Sequence, residues 1–114
     1  MKNLKAELIR LADMKLKAAK EKHGLNHSDH ESYAVLLKEV EETRREMKRV
    51  EMWLASLWEY IKIDVSPEEN RGVFAKIYDH SIDLAVEAIQ CAAMARKSLL
   101  SNIKNNEENA KDKK

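Results

Sequence analysis

Apolar residues recur at helical spacing, not at the alternation of a strand, along almost the whole chain. Leu4, Leu8, Leu11, Ala12, Leu16 and Ala19 follow one another at three- and four-residue steps. That pattern predicts a first helix over about residues 3–22, with Gly24 placed to cap its end. Further on, Tyr33, Leu36, Leu37, Val40, Met47, Val50, Leu54, Leu57 and Ile61 fall on one stripe. They predict a second helix over roughly residues 30–62, opened by Ser28 and Glu31 at capping-box spacing. The segment "DVSPEEN" restarts the chain. Ser66 suits an N-cap, Pro67 the first helical position, and Glu68 and Glu69 the positive end of the helix dipole. A third helix is expected to run to about residue 104, and Gly72 is where it would break, because glycine disfavours a helix interior.

The last ten residues, "NNEENAKDKK", offer only Ala110 to an apolar surface, so residues 105–114 are expected to form a disordered tail. The fold expected is all-α: an antiparallel bundle of three long helices in a single domain over residues 1–104. Three helices cannot cover stripes as long as the second and third. The aromatic and aliphatic end of the second helix, Trp53, Leu54, Leu57, Trp58 and Ile61, therefore calls for a second copy. A homodimer or homotetramer is expected.

Charge narrows the choice of partner. Twenty-one basic and twenty acidic side chains in 114 residues leave a net charge of +1, too little to draw nucleic acid or an anionic membrane to the chain as a whole. The basic run Arg44, Arg45, Lys48 and Arg49 is interleaved with Glu41, Glu42, Glu46 and Glu51. It supplies no separate argument for nucleic acid. The lone cysteine, Cys91, sits in the apolar run "AIQCAAMA" and reads as a buried free thiol. The start of the chain, "MKNLKAELIRLADMKLK", is broken by charge every few residues, unlike a signal peptide or membrane span. A cytoplasmic protein is expected.

Two acidic stripes carry candidate chemistry. Glu39, Glu42 and Glu46 lie directly beside the apolar stripe of the second helix, whereas Glu41, Arg45 and Lys48 point elsewhere. In the third helix Asp83, Glu87 and Gln90 share a face. Nearby alanines, Ala85, Ala88, Ala92, Ala93 and Ala95, leave room for another helix to approach and for carboxylates of two helices to converge. Hard cations such as Mg²⁺ need such oxygen clusters, and bundles build sites from them. The same spacing also suits surface salt bridges. His27, His30 and Glu31 have a spacing that could chelate zinc, or are polar residues leading into a helix. Trp53, Trp58 and Tyr60 could stack a base, or anchor a core or interface.

"HESYAVLLKEVEETRREMK", followed some forty residues later by "DLAVEAIQCAAMARKSL", resembles the MazG-like all-α nucleoside triphosphate pyrophosphatases, particularly their small phage and prophage members. The resemblance covers most of residues 30–100. It implies a helical bundle that binds Mg²⁺, with Mn²⁺ as a substitute, and hydrolyses an NTP or dNTP to the monophosphate and pyrophosphate. It also implies assembly as dimers or tetramers. Against the family's EExxE motif the chain keeps Glu39 and Glu42 and has Lys38 at the first position; against ExxD there are two registers. Glu87-Ala-Ile-Gln90 keeps the glutamate and loses the aspartate, and His80-Ser-Ile-Asp83 does the reverse. The first is favoured because "EAIQCAAMA" as a whole resembles the phage group. The resemblance thus implies Glu39 and Glu42 as catalytic carboxylates and, with Glu87, as metal ligands. Lys38 and Gln90 would stand toward the nucleotide. Asp83, one turn before Glu87, could restore the missing oxygen. The alternative is a non-catalytic helical interaction protein, a relative without turnover.

Overall fold

The computed structural model describes the backbone of residues 2–112 and the side chains of residues 3–110. The fold is all-α, with three helices: α1, Lys2–His23; α2, Asp29–Lys62; and α3, Pro67–Asp112. No strand occurs among the described residues. No helix among them is long and apolar enough to cross a membrane.

Each boundary has a local cause. Gly24 adopts φ +71° and its N–H donates to Lys20 O at 2.8 Å, closing α1 through the left-handed conformation that glycine tolerates. At the start of α2, Ser28 Oγ accepts from the Glu31 N–H at 3.1 Å. The Glu31 carboxylate accepts in turn from the His27 N–H at 3.0 Å, so two otherwise orphaned donors are satisfied reciprocally. At the other end of α2, Asp64 has φ +54°; its N–H donates to Ile61 O at 3.2 Å, and the Val65 N–H reaches Tyr60 O at 3.2 Å. Those paired bonds define a Schellman cap, with an aspartate where glycine is usual. Ser66 Oγ accepts from the Glu69 N–H at 3.3 Å, and Pro67 opens α3 where its missing N–H costs nothing.

α3 passes through Gly72 without a break, because a single glycine costs a helix only about 1 kcal/mol. It also runs on to Asp112 through residues expected to be a tail; residues 113 and 114 lie outside the described residues.

The chain divides into two compact units, the first made of Met1–Val40 with Ile89–Lys114 and the second of Glu41–Ala88. In the first, Leu16 of α1 packs with Ala93 and Met94 of α3, and Ala12, Ala19, Val35 and Leu36 close around them. Ala93 is 1% exposed, and its small side chain lets α1 approach closely. The loop between α1 and α2 is fastened to α3 by polar contacts. Asn26, 3% exposed, donates its N–H to Ser101 Oγ at 2.9 Å and its Nδ2 to Ser32 Oγ at 2.8 Å. Asn105 Nδ2 donates to Asn26 O at 3.2 Å, and Asn102 Nδ2 to the Asp29 carboxylate at 3.0 Å. These bonds give residues 98–105 a polar docking surface that apolar spacing does not reveal.

The second unit is an antiparallel hairpin of α2 and α3 with Leu57 and Val73 buried. Each such side chain contributes about 1.5–3 kcal/mol relative to exposure. Here the inward face differs from the most apolar one. Glu42, Thr43, Glu46 and Val50 are half-buried, whereas Met47, Leu54, Trp58 and Ile61 are exposed. Trp58 is 59% exposed and has the Lys62 ammonium 5.7 Å from its ring centre.

Candidate metal centre

Helix phase brings the acidic residues of the second unit together. Glu42 and Glu46 are one turn apart on α2; His80, Asp83 and Glu87 follow at steps of three and four on α3, so each set occupies one face. Because the hairpin is antiparallel, α3 retreats from Glu87 to Asp83 as α2 advances from Glu42 to Glu46. Glu42 and Glu87 place carboxylate oxygens within 4.8 Å of each other, and Glu46, His80 and Asp83 place one potential ligand atom each within the same mutual distance.

The electrostatics are those of crowded like charge. Partial burial pushes the Glu87 carboxyl above its usual range, and the neighbouring charge of Glu42, a hydrogen bond with Glu42, and the charges of Glu46 and Asp83 add to the shift. In its protonated form Glu87 is the donor to Glu42. Arg49 pairs with Glu46 Oε1. Glu46 Oε2 and His80 Nδ1 face each other at 3.5 Å, beyond a normal hydrogen bond, and both are buried without a hydrogen-bond partner. Two solvent-shielded donor atoms left open beside carboxylates are what a cation would complete. The oxygens of Glu42 and Glu87 suit a hard ion such as Mg²⁺; the His80 nitrogen shifts the trio of Glu46, His80 and Asp83 toward Mn²⁺ or Zn²⁺.

The other predicted residues are distributed unevenly. Glu39, one turn before Glu42 on α2, belongs to the first unit, where it lines a cleft together with Gln90. Lys38 is exposed and is not part of that lining. Glu41 is exposed, as expected, in a shallow groove with Arg44, Arg45 and Lys48. The Glu31 carboxylate is engaged in the cap of α2, and His27 and His30 are exposed in a groove with Asp29 and the asparagines of α3. Cys91 is half-buried and free. Trp53 is half-buried, lining a hollow with Tyr60, Ile63, Val65 and Val73.

The expected ligand set leaves out two members of the cluster, and His80 reads from the sequence as a helix-face residue rather than a ligand. Glu46 was on the acidic stripe but outside the quoted motif, and His80 precedes Asp83 by three positions, the spacing that places both on one face. No family profile, curated protein or solved structure matches the chain. The class defined by fold and site is an all-helical protein with a carboxylate–histidine cluster on a helical hairpin.

Proposed function

We propose that the protein is a cytoplasmic, divalent-cation-dependent pyrophosphohydrolase of nucleoside triphosphates. Glu42 and Glu87, with Asp83 one turn away on α3, would hold Mg²⁺ or Mn²⁺. The observation that carries this reading is the convergence of four carboxylates on one hairpin, close enough to push the Glu87 carboxyl above its usual range. A bound cation neutralises phosphate charge and activates water. The chain's own groups have separate tasks: Glu42 and Glu87 would offer carboxylate oxygens to the cation, Arg49 fixes Glu46, and Glu46 orients the His80 ring. The test is pyrophosphate release from a panel of NTPs and dNTPs with Mg²⁺ or Mn²⁺. Turnover that is lost in Glu42→Gln and Glu87→Gln but kept in Glu41→Gln supports the assignment; absence of turnover across the panel defeats it.

A second copy of the chain is the partner we propose for the exposed apolar face. By helical phase, Met47, Leu54, Trp58 and Ile61 of α2 and Phe74, Tyr78, Ile82 and Val86 of α3 fall on the same side of the hairpin, away from the acidic cluster. All eight are exposed. Two hairpins packed through this face complete a four-helix core. The same face would serve a non-catalytic assembly protein, the reading left standing if no nucleotide is turned over.

A further inference from the structure

Glu46 Oε2 on α2 and His80 Nδ1 on α3 stand 3.5 Å apart, both shielded from solvent and neither hydrogen-bonded. An N–H···O bond would bring them to about 2.7–3.2 Å. Two buried polar atoms left unpaired at this distance are costly unless something lies against both. Asp83, one turn from His80 on α3, offers a carboxylate oxygen within 4.8 Å of each.

The spacing selects among cations. A tetrahedral Zn²⁺ with bonds of about 2.0–2.1 Å sets its ligands about 3.3–3.4 Å apart, close to the 3.5 Å between Glu46 and His80. Neighbouring ligands of octahedral Mg²⁺, at similar bond lengths, lie only about 2.9–3.0 Å apart. The donor set points the same way. Imidazole suits Zn²⁺ and its neighbours in the first transition row, whereas Mg²⁺ takes oxygen and gives up its waters reluctantly.

The surroundings steady this arrangement. Arg49 pairs with Glu46 Oε1, which leaves Oε2 to face His80, and ligating carboxylates are ordinarily held by such a second bond. Glu46 and His80 are half-buried while Asp83 is exposed, so the third side of the trio meets water.

We propose that Glu46, His80 and Asp83 bind Zn²⁺ as three protein ligands, with the fourth position left to water. Such an open site admits a further ligand, unlike a closed structural one. It shares Asp83 with the hydrolase reading but needs neither nucleotide nor the Glu42–Glu87 pair. Zn²⁺ binding and nucleotide turnover can therefore fail separately.

Calorimetric titration of the full chain with Zn²⁺ tests the site, in buffer with Mg²⁺ in excess to mask positions open to any divalent cation. Saturable binding of Zn²⁺ is expected. His80→Gln, which keeps a polar side chain of similar size, should weaken it at least about tenfold, the loss that follows removal of even an outer partner of a metal. Asp83→Asn should act in the same direction from an exposed position. The double variant His27→Ala/His30→Ala, which removes the exposed histidines at the start of α2, should bind as wild type does. Lack of saturable Zn²⁺ binding, wild-type affinity in His80→Gln or Asp83→Asn, or a comparable loss in His27→Ala/His30→Ala would overturn the proposal.

Discussion

Asn26 and Ser101, 75 positions apart, are joined by a 2.9 Å hydrogen bond from the backbone of one to the hydroxyl of the other. Ser101 is 1% exposed and itself donates to Lys97 O at 2.7 Å, so this hydroxyl uses both its donor and an acceptor where water does not reach. Ser101→Ala strands the Asn26 N–H, and the expected loss of stability is about 1–3 kcal/mol. Asn102→Ala removes only an exposed contact to Asp29 and should stay within about 0.5 kcal/mol of wild type. Urea denaturation at fixed protein concentration measures both. Equal, small effects would show that the polar surface of α3 does not hold the loop.

Glu87 makes stability depend on pH. Its carboxyl is raised from the ordinary 4.5 by burial and by Glu42, Glu46 and Asp83, so the folded state binds its proton more tightly than the unfolded state does. The resulting contribution is complete below about pH 4.5 and is lost as pH rises through the higher folded value. In chelator-containing buffer Glu87→Gln should therefore raise the melting temperature at pH 7, with the gain shrinking toward pH 4.5. A constant difference between variant and wild type across that range would contradict the crowding.

Two backbone positions are expected to accept stabilising substitutions. A Cβ built at Gly72 meets nothing within 4 Å, and the residue is helical, so Gly72→Ala should add about 1 kcal/mol. Asp64→Gly should also stabilise, because a non-glycine residue at φ +54° carries a steric penalty that glycine lacks. Thermal melts of the two single variants and their combination check both. A loss at Gly72→Ala would mean that its face is covered.

The exposed side of the hairpin gives the fourth expectation. Leu54→Lys places a charge in the middle of the proposed subunit contact and should lower the mass measured by light scattering to that of a single chain. Wild-type mass at micromolar concentration should correspond to two or four chains. A single-chain mass that does not change with concentration would remove the second copy as partner.

Helix number and limits were legible because capping residues act locally: Gly24, Ser28 with Glu31, and Ser66 with Pro67 perform the tasks their types suggest. The direction in which α2 faces was harder to read. Amphipathic reasoning turns the most apolar stripe inward, yet in the hairpin Glu42 and Glu46 face α3 while Met47 and Leu54 are exposed. A stripe awaiting another surface cannot be told from a core stripe by periodicity alone. The continuation of α3 was hidden for the opposite reason. Ser98, Ser101 and Asn105 recur at helical steps, but as hydrogen-bonding partners of Asn26, and polar recurrence is indistinguishable from a solvated segment until its partner is known. Of the candidate site, Glu42, Glu87 and Asp83 were legible from spacing, whereas the role of His80 depends on the register between two helices.

The first unit joins residues before position 41 with residues after position 88, whereas the second is one uninterrupted stretch between them. The hairpin can therefore form from neighbouring chain, but Leu16 must wait for Ala93 and Met94. Closing that long loop carries an entropic cost before any of its contacts form. During synthesis at roughly 5–20 residues per second, α1 leaves the ribosome several seconds ahead of the helix it packs against. For that interval its apolar face is open to chaperones and to other nascent chains.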